Sequence, residues 1–412
     1  MRNFVSGQQG GFEPRRKRVL LAAATTGYQT RMFQDAAERI GVELVLATDR
    51  CHVLDDPWGD HAVPIRFESP ETAAGLLREA GELDGIVAVG DRPAYVAAVA
   101  AAELGLRFHS PDAVAACRNK FVARERFREA GLLVPEFYRV PVAEEPAESR
   151  FYPCVLKPLG LSASRGVIRA DDDREFVAAF RRIRALIEHE EFSDFIQVER
   201  FIEGREFALE GVVSGGRLDV IALFDKPDPL DGPFFEETIY VTPSREAAMV
   251  QRAIAETTQR GVGALGLTDG PIHAEMRVNR AGVWMLEIAA RPIGGLCAKA
   301  IPGLEEFILR HAVGDGIARL DSVGASGVMM IPIPREGIYQ GVSGVADAEA
   351  VPGVTEVVVT AKEGQRIVPL PEGKSYLGFI FARGDAPAQV EDALRRAHEK
   401  LKFEFLAALP VI

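Results

Sequence analysis

Residues 273–292, HAEMRVNRAGVWMLEIAARP, hold two runs of alternating side chains joined by NRAG. Strand side chains alternate between faces, so His273, Glu275 and Arg277 share one face of the first run. Met285, Glu287, Ala289 and Arg291 share one face of the second. With a loop from Asn279 to Val283, Val278 pairs with Trp284 and Glu275 lies directly across from Glu287. Opposed strand residues have Cβ atoms about 4.5–5.5 Å apart, and like charges there are destabilising. A positive group belongs between them, and a hard divalent cation suits two carboxylates. From these residues alone a metal pair, a solvated acidic hairpin and a hairpin slipped in register all stay open.

The rest of the chain narrows the choice. Its 412 residues leave room for about two to four domains. Hydrophobic residues make up 47% and charged residues 26%, an ordinary globular balance. A net charge of -12 argues against a nucleic-acid surface or an anionic membrane partner, while leaving room for a local basic pocket. The four cysteines, Cys51, Cys117, Cys154 and Cys297, form no CxxC pair, so neither structural zinc nor a disulfide framework is expected, and a reducing cytoplasm fits. The start, MRNFVSGQQGGFEPRRKR, lacks an apolar centre and reads as a flexible tail over residues 1–18. No apolar run is long enough to cross a bilayer.

Strands alternate with helices from RVLLAAATTGYQ through LDGIVAVGDRP, the pattern of a doubly wound parallel sheet over residues 19–112. TTGYQ is not a dinucleotide fingerprint. DAVAACRNKFVARERFREAGLLVP reads as helical. FYPCVLKPLGLSASRGVIRA reads as strand, small-residue loop, strand, and DDDREFVAAFRRIRALIEHEE as a helix with an acidic first turn. FIQVERFIEGREFALEGVVSGGRL alternates as strands with turns at Gly204 and SGG, and residues 244–262 read as a helix. From about residue 322 short strands and recurring Gly and Pro suggest a separate α+β unit, closed by a helix AQVEDALRRAHEKLKFEFLAAL.

Two segments carry further chemistry. In VLKPLGLSASRGV, Lys157 runs into a loop whose Gly160, Ser162, Ala163, Ser164 and Gly166 allow backbone N–H groups to approach phosphate oxygens. The lysine precedes the loop, so this is not a P-loop, and an ordinary hairpin turn weighs equally. In VERFIEGREFALEG, Glu199 and Glu206 flank Gly204, with Phe201 and Ile202 between them. That mixture of apolar faces and polar edges suits a purine nucleoside; taken alone, a surface hairpin explains it better.

Together with Lys120 in RNKFVARERFREAGLLVP, these segments form an ordered set that resembles the ATP-grasp ligases over about residues 19–320. Within that superfamily HAEMRV, EIAARPIGG and the stretch from GVMMIPIPREG are most similar to the L-amino acid ligases, the dipeptide-forming carboxylate–amine ligases. The resemblance implies a doubly wound N-terminal domain (residues 19–112), a central ATP-grasp domain (113–321) and a C-terminal α+β domain (322–412). It implies that Lys120 and Lys157 hold ATP phosphates, that Ser162, Ser164 and Gly166 belong to a phosphate lid, that Glu199, Phe201 and Ile202 hold the adenine, and that Glu206 takes the ribose. Glu275 and Glu287 would bind Mg2+, with Mn2+ as an alternative, and Arg291 would stabilise the acyl phosphate. His273, Gly294 and Gly295 would face the substrate, and Glu236 and Glu237 would contribute to an amino-acid pocket.

One departure stands out: the usual E-x-N-x-R reads EIAAR here, so Ala289 replaces an asparagine and a second metal position is in doubt. The implied activity is a cytoplasmic, ADP-forming ligase for small carboxylates and amines, amino acids foremost, compatible with a homodimer. The rivals are a carboxylate–thiol ligase, a biotin-carboxylase-like enzyme and a non-catalytic nucleotide-binding module.

Overall fold

The computed structural model describes residues 15–24, 29–49, 62–315, 324–373 and 375–407. Most of the expected N-terminal tail, and Cys51, lie outside these residues. Strands Val63–Pro64, Glu43–Thr48, Arg18–Ala23 and Gly85–Val89 lie side by side and run parallel. Alternation along RVLLAA sends Leu20 and Ala22 into a core with Ala97 and Leu77, while Val19, Leu21 and Ala23 enter a second core with Phe33, Ala36 and Ile308. Both faces are therefore covered by helices, as an all-parallel sheet requires.

The expected single helix after residue 111 is broken in two, Pro111–Arg118 and Lys120–Glu129. Asn119 adopts an extended backbone and its Oδ1 accepts from the N–H groups of Phe121 and Val122. This cap starts a new helix with Lys120 at its first position.

A small antiparallel sheet follows, ordered Phe137–Pro141, Phe195–Arg200, Cys154–Pro158, Ile168–Ala170. The helix Asp173–Leu186, capped by Asp172 on the N–H of Glu175, buries Phe176, Phe180 and Ile183 against it. A larger sheet runs in the order Gly282–Ala289, Gly270–Asn279, Arg205–Ser214, Arg217–Asp225, Ile239–Thr242, Ala325–Ile331, Gly378–Gly384, Val354–Val359.

That sheet runs across the expected boundary at residue 322. Ala325–Ile331 pairs antiparallel with both Ile239–Thr242 and Gly378–Gly384, so strands from both sides of residue 322 share one sheet. The chain end also differs from the expected helix. The helix stops at His398, and Lys402–Leu406 forms a strand against Gly337–Ser343. KFEFL has period two, and Phe403 and Phe405 both pack on the Tyr339 ring. No helix among the described residues is long and apolar enough to cross a membrane.

Candidate functional site

The small sheet, the large sheet, the parallel sheet and the Gly378–Gly384 region enclose a cavity of about 650 Å3. Lys157 and Glu199 reach it from the small sheet, Glu206, His273, Glu275 and Glu287 from the large one, and Asp91 from the end of a parallel strand.

The hairpin confirms the pairing of Glu275 with Glu287 by an unexpected route. Its turn is tighter than expected: Asn279 pairs with Gly282, and Val278 with Val283 rather than Trp284. Asn279 Oδ1 accepts from the Ala281 N–H and from Trp284 Nε1, which fixes the short turn. A bulge then leaves Leu286 without a partner, because Met276 pairs with Met285 while Glu275 pairs with Glu287. The bulge cancels the one-residue offset of the turn and returns both carboxylates to the cleft.

Each of the two already meets a cation. Lys120 Nζ lies 3.4 Å from Glu287 and donates to the Leu161 carbonyl at 2.6 Å. Glu275 Oε1 accepts from Lys226 Nζ at 3.1 Å and lies 3.3 Å from His273 Nε2. His273 Nδ1 bonds to Glu210, whose other oxygen accepts from the Ile293 N–H at 3.0 Å. Burial depresses the His273 pKa, but Glu210 and Glu275 outweigh it and lift it to about 10. The same geometry fixes the start of the segment that holds Gly294 and Gly295, both of which line the cavity.

Lys226 follows the Arg217–Asp225 strand and is buried among Glu206 at 2.9 Å, Glu237 at 2.5 Å and Glu275 at 3.1 Å. Burial pushes the Glu237 carboxyl up, and Glu275 adds to that push against the pull of Lys226. Glu206 also accepts from Arg277 Nε at 2.9 Å. Arg277 in turn donates to the carbonyls of Ile202 and Leu230 and lies 5.1 Å from the centre of the Phe201 ring. Gly204 has φ +135°, and a Cβ there would meet the Val278 carbonyl oxygen at 2.5 Å, so this turn passes against the hairpin only as glycine.

On the small sheet Glu199 is 2% exposed. Its Oε1 accepts from Arg124 Nε at 2.7 Å and Gln197 Nε2 at 2.6 Å, and its Oε2 meets Lys157 Nζ at 2.7 Å. Burial raises its pKa, yet Arg124 and Lys157 prevail and hold it at about 2. The carboxylate expected beside an adenine is thus engaged in holding Lys157.

The small-residue loop brings Ser162, Ala163 and Ser164 to the cavity, with Ala163 and Ser164 both at φ 54°. Left-handed backbone at a non-glycine residue costs about 1–2 kcal/mol, and such strain clusters at ligand clamps. Gly166 stands outside the lining; its N–H donates to the Pro371 carbonyl at 2.8 Å. Arg291 lines the cavity and donates through Nε to Asp91 at 2.8 Å. Burial raises the Asp91 pKa but Arg291 more than offsets it, and the Arg291 pKa is raised in return. Glu237 lines the cavity, whereas Glu236 accepts from the Ile333 N–H at 3.3 Å outside it.

Four residues that hold this site escaped the sequence reading: Asp91, Arg124, Glu210 and Lys226. Asp91 had a signal, since ligands of parallel sheets gather at the carboxyl ends of strands, where VAVGD places it. Arg124, Glu210 and Lys226 had none, because only tertiary pairing marks them apart from other charged residues.

A family model of the ATP-grasp domain matches residues 150–300, and one of the L-amino acid ligase C-terminal domain 2 matches residues 329–405. The crystal structure of an L-amino acid ligase from Bacillus licheniformis superposes with a TM-score of 0.80 at 25% identity, over 95% of this chain and 100% of that one. The ATP-grasp enzyme fsqD of Aspergillus fumigatus is 26% identical over 335 residues, 68% of this chain and 56% of its own length. Alanine--anticapsin ligase of Bacillus subtilis is 27% identical over 222 residues, 48% of this chain and 46% of its own. The chain therefore spans roughly half the length of these two curated relatives.

Proposed function

We propose that this chain, similar to the ATP-grasp domain over residues 150–300 and to the L-amino acid ligase C-terminal domain 2 over residues 329–405, is an ATP-dependent ligase that joins two L-amino acids through an acyl phosphate and releases ADP and phosphate. The observation that carries this reading is one cleft lined by Lys120, Lys157, Arg291 and the facing pair Glu275 and Glu287.

A carboxylate is a poor electrophile because its leaving group would be oxide. Phosphorylation gives it a phosphate leaving group, but carboxylate and triphosphate, both anionic, must first meet. Phosphoryl transfer is promoted mainly by positioning and electrostatic stabilisation. Lys120 and Lys157 would hold the phosphates, each already fixed by a carboxylate, Glu287 and Glu199. Two opposed carboxylates form a hard oxygen donor set that fits Mg2+, and an ion held there would withdraw charge from the transferring phosphoryl group. Arg291, oriented by Asp91, would face the acyl phosphate. Ser162 and Ser164 would close over the phosphates and exclude water, which would otherwise hydrolyse the intermediate. Phe201 and Ile202 would border the base and Glu206 the ribose. His273, Gly294 and Gly295 would line the amino-acid end, next to Glu237.

The test is nucleotide and product analysis with ATP, Mg2+ and a broad amino-acid mixture. ADP with a new dipeptide is expected. AMP would overturn the mechanism, and ADP formed only with coenzyme A or bicarbonate would replace the substrate class.

A further inference from the structure

Lys226 is a buried cation beside the cleft, with a side chain 3% exposed. Its ammonium touches carboxylates from three separate segments: Glu206 on the Arg205–Ser214 strand, Glu275 on the Gly270–Asn279 strand, and Glu237 just before Ile239. One ligand atom from each of these acids lies within 4.8 Å of the others, the spacing of a three-carboxylate cation site. An ammonium has three N–H donors and no acceptor, so one lysine satisfies three carboxylates with no donor left over. The Tyr240 ring lies 4.9 Å from Nζ, and the Tyr240 hydroxyl donates to Glu237 at 2.7 Å. The chain leading into it is also held: the Lys226 N–H donates to the Glu206 carbonyl, and the Asp225 carboxylate accepts from Ser244 and Arg245. The ammonium cannot easily swing away.

We propose that the Lys226 ammonium is a built-in cation of the cleft: it occupies the position among Glu206, Glu237 and Glu275 and keeps a divalent ion out of it. This deepens the reading of the cleft as a Mg2+–ATP site, since Glu275 belongs both to this triad and to the pair with Glu287. A free ion at the triad would compete for Glu275 and draw it from Glu287. A tethered charge cannot dissociate, and it leaves Glu275 turned between its two neighbours in every state of the reaction. Lys226 is in this sense a positioning residue, acting on the ribose and metal carboxylates rather than on substrate.

The experiment titrates Mn2+ into the nucleotide-free protein, following free Mn2+ by electron paramagnetic resonance, with circular dichroism as the check on folding. K226M should bind one Mn2+ ion per chain more than wild type, and adding E237Q to K226M should abolish that extra ion. An unchanged ion count in folded K226M overturns the proposal. A second arm needs no lysine variant: E237Q in the wild-type background should leave the Mn2+ count as it is, and a lost ion there overturns the proposal as well. Dipeptide formation is assayed separately in wild type, so absence of ligase activity would count against the proposed function and leave the Lys226 result standing.

Discussion

On the small sheet one carboxylate, Glu199, answers two cations, Arg124 and Lys157; on the large sheet one ammonium, Lys226, answers three carboxylates, Glu206, Glu237 and Glu275. Both networks are buried, and both sit beside the same cavity. Their charge balance differs in sign. The first carries surplus positive charge, and its carboxyl is held far below the usual range. The second carries surplus negative charge, and Glu237 is pushed up by burial and by Glu275. The first end is therefore prepared for an anion. At the second, the Lys226 ammonium already holds the place among Glu206, Glu237 and Glu275, and an incoming cation is left to the facing pair Glu275 and Glu287.

The strongest way to break this contrast is Glu199→Gln. Arg124 is 1% exposed and would lose its only carboxylate partner among the described residues. Removing one member of a buried pair costs about 3–5 kcal/mol. The pH dependence has a defined sign. Glu199 has a folded pKa of about 2 against an ordinary 4.5, so its contribution is complete above pH 4.5 and is lost as the pH falls towards 2. The shift corresponds to about 3 kcal/mol. Urea melts should show wild type losing stability between those two pH values and Glu199→Gln lacking that loss. Equal slopes would show that Glu199 does not anchor the small sheet.

Glu287→Gln tests the other end. It removes one of the facing carboxylates while leaving the Glu199 network intact. ATP turnover should fall on the order of 10²–10³-fold, the scale of losing one electrostatic stabiliser. Nucleotide binding, measured by calorimetry, should persist through Lys157 and the apolar contacts. Turnover at the wild-type rate would remove Glu287 from the metal pair.

Lys157→Ala sharpens the comparison by separating the two cations on Glu199. Arg124 still satisfies the carboxylate, so the melting temperature should change far less than in Glu199→Gln. ATP affinity should weaken by about 1.5–3 kcal/mol, the value of a hydrogen bond to a charged group. A dissociation constant equal to wild type would make Lys157 structural only.

Much of this was legible in the residues, for reasons that can be stated. The parallel sheet showed because RVLLAA and GIVAV are buried on both faces and read as continuous apolar runs. The helix Asp173–Leu186 showed because its cap and amphipathic spacing are local. Lys120, Lys157, Glu275 and Glu287 showed as chemistry at fixed order. The Leu286 bulge did not, because a two-residue turn and a bulge offset each other and leave the same pair opposed. The shared sheet across residue 322 did not either, since strand pairing between distant segments leaves no local trace. The three carboxylates around Lys226 come from residues 206, 237 and 275, too far apart in sequence for any spacing rule to join them.

The smallest expected effect lies at the loop above the anion end. Gly166 N–H donates to the Pro371 carbonyl, Arg165 Nε donates to the Glu372 carbonyl at 3.2 Å, and Arg182 Nη2 pairs with Glu372 Oε2 at 2.7 Å. The C-terminal segment thus holds down the outer edge of the small-residue loop. Arg182 and Glu372 are 45% and 37% exposed, and pairs of this kind contribute only about 0.2–1 kcal/mol. Glu372→Ala removes the side-chain pair but keeps both backbone contacts, so the fold should be unaffected. Loop opening should become easier by about two- to fivefold, the population change that such an energy allows. Hydrogen exchange at Gly166 and Val167 reads this directly: faster exchange in Glu372→Ala without nucleotide, and equal protection in both proteins once an ATP analogue and Mg2+ are added. Exchange that stays the same in the free proteins would mean that the backbone contacts alone hold the loop.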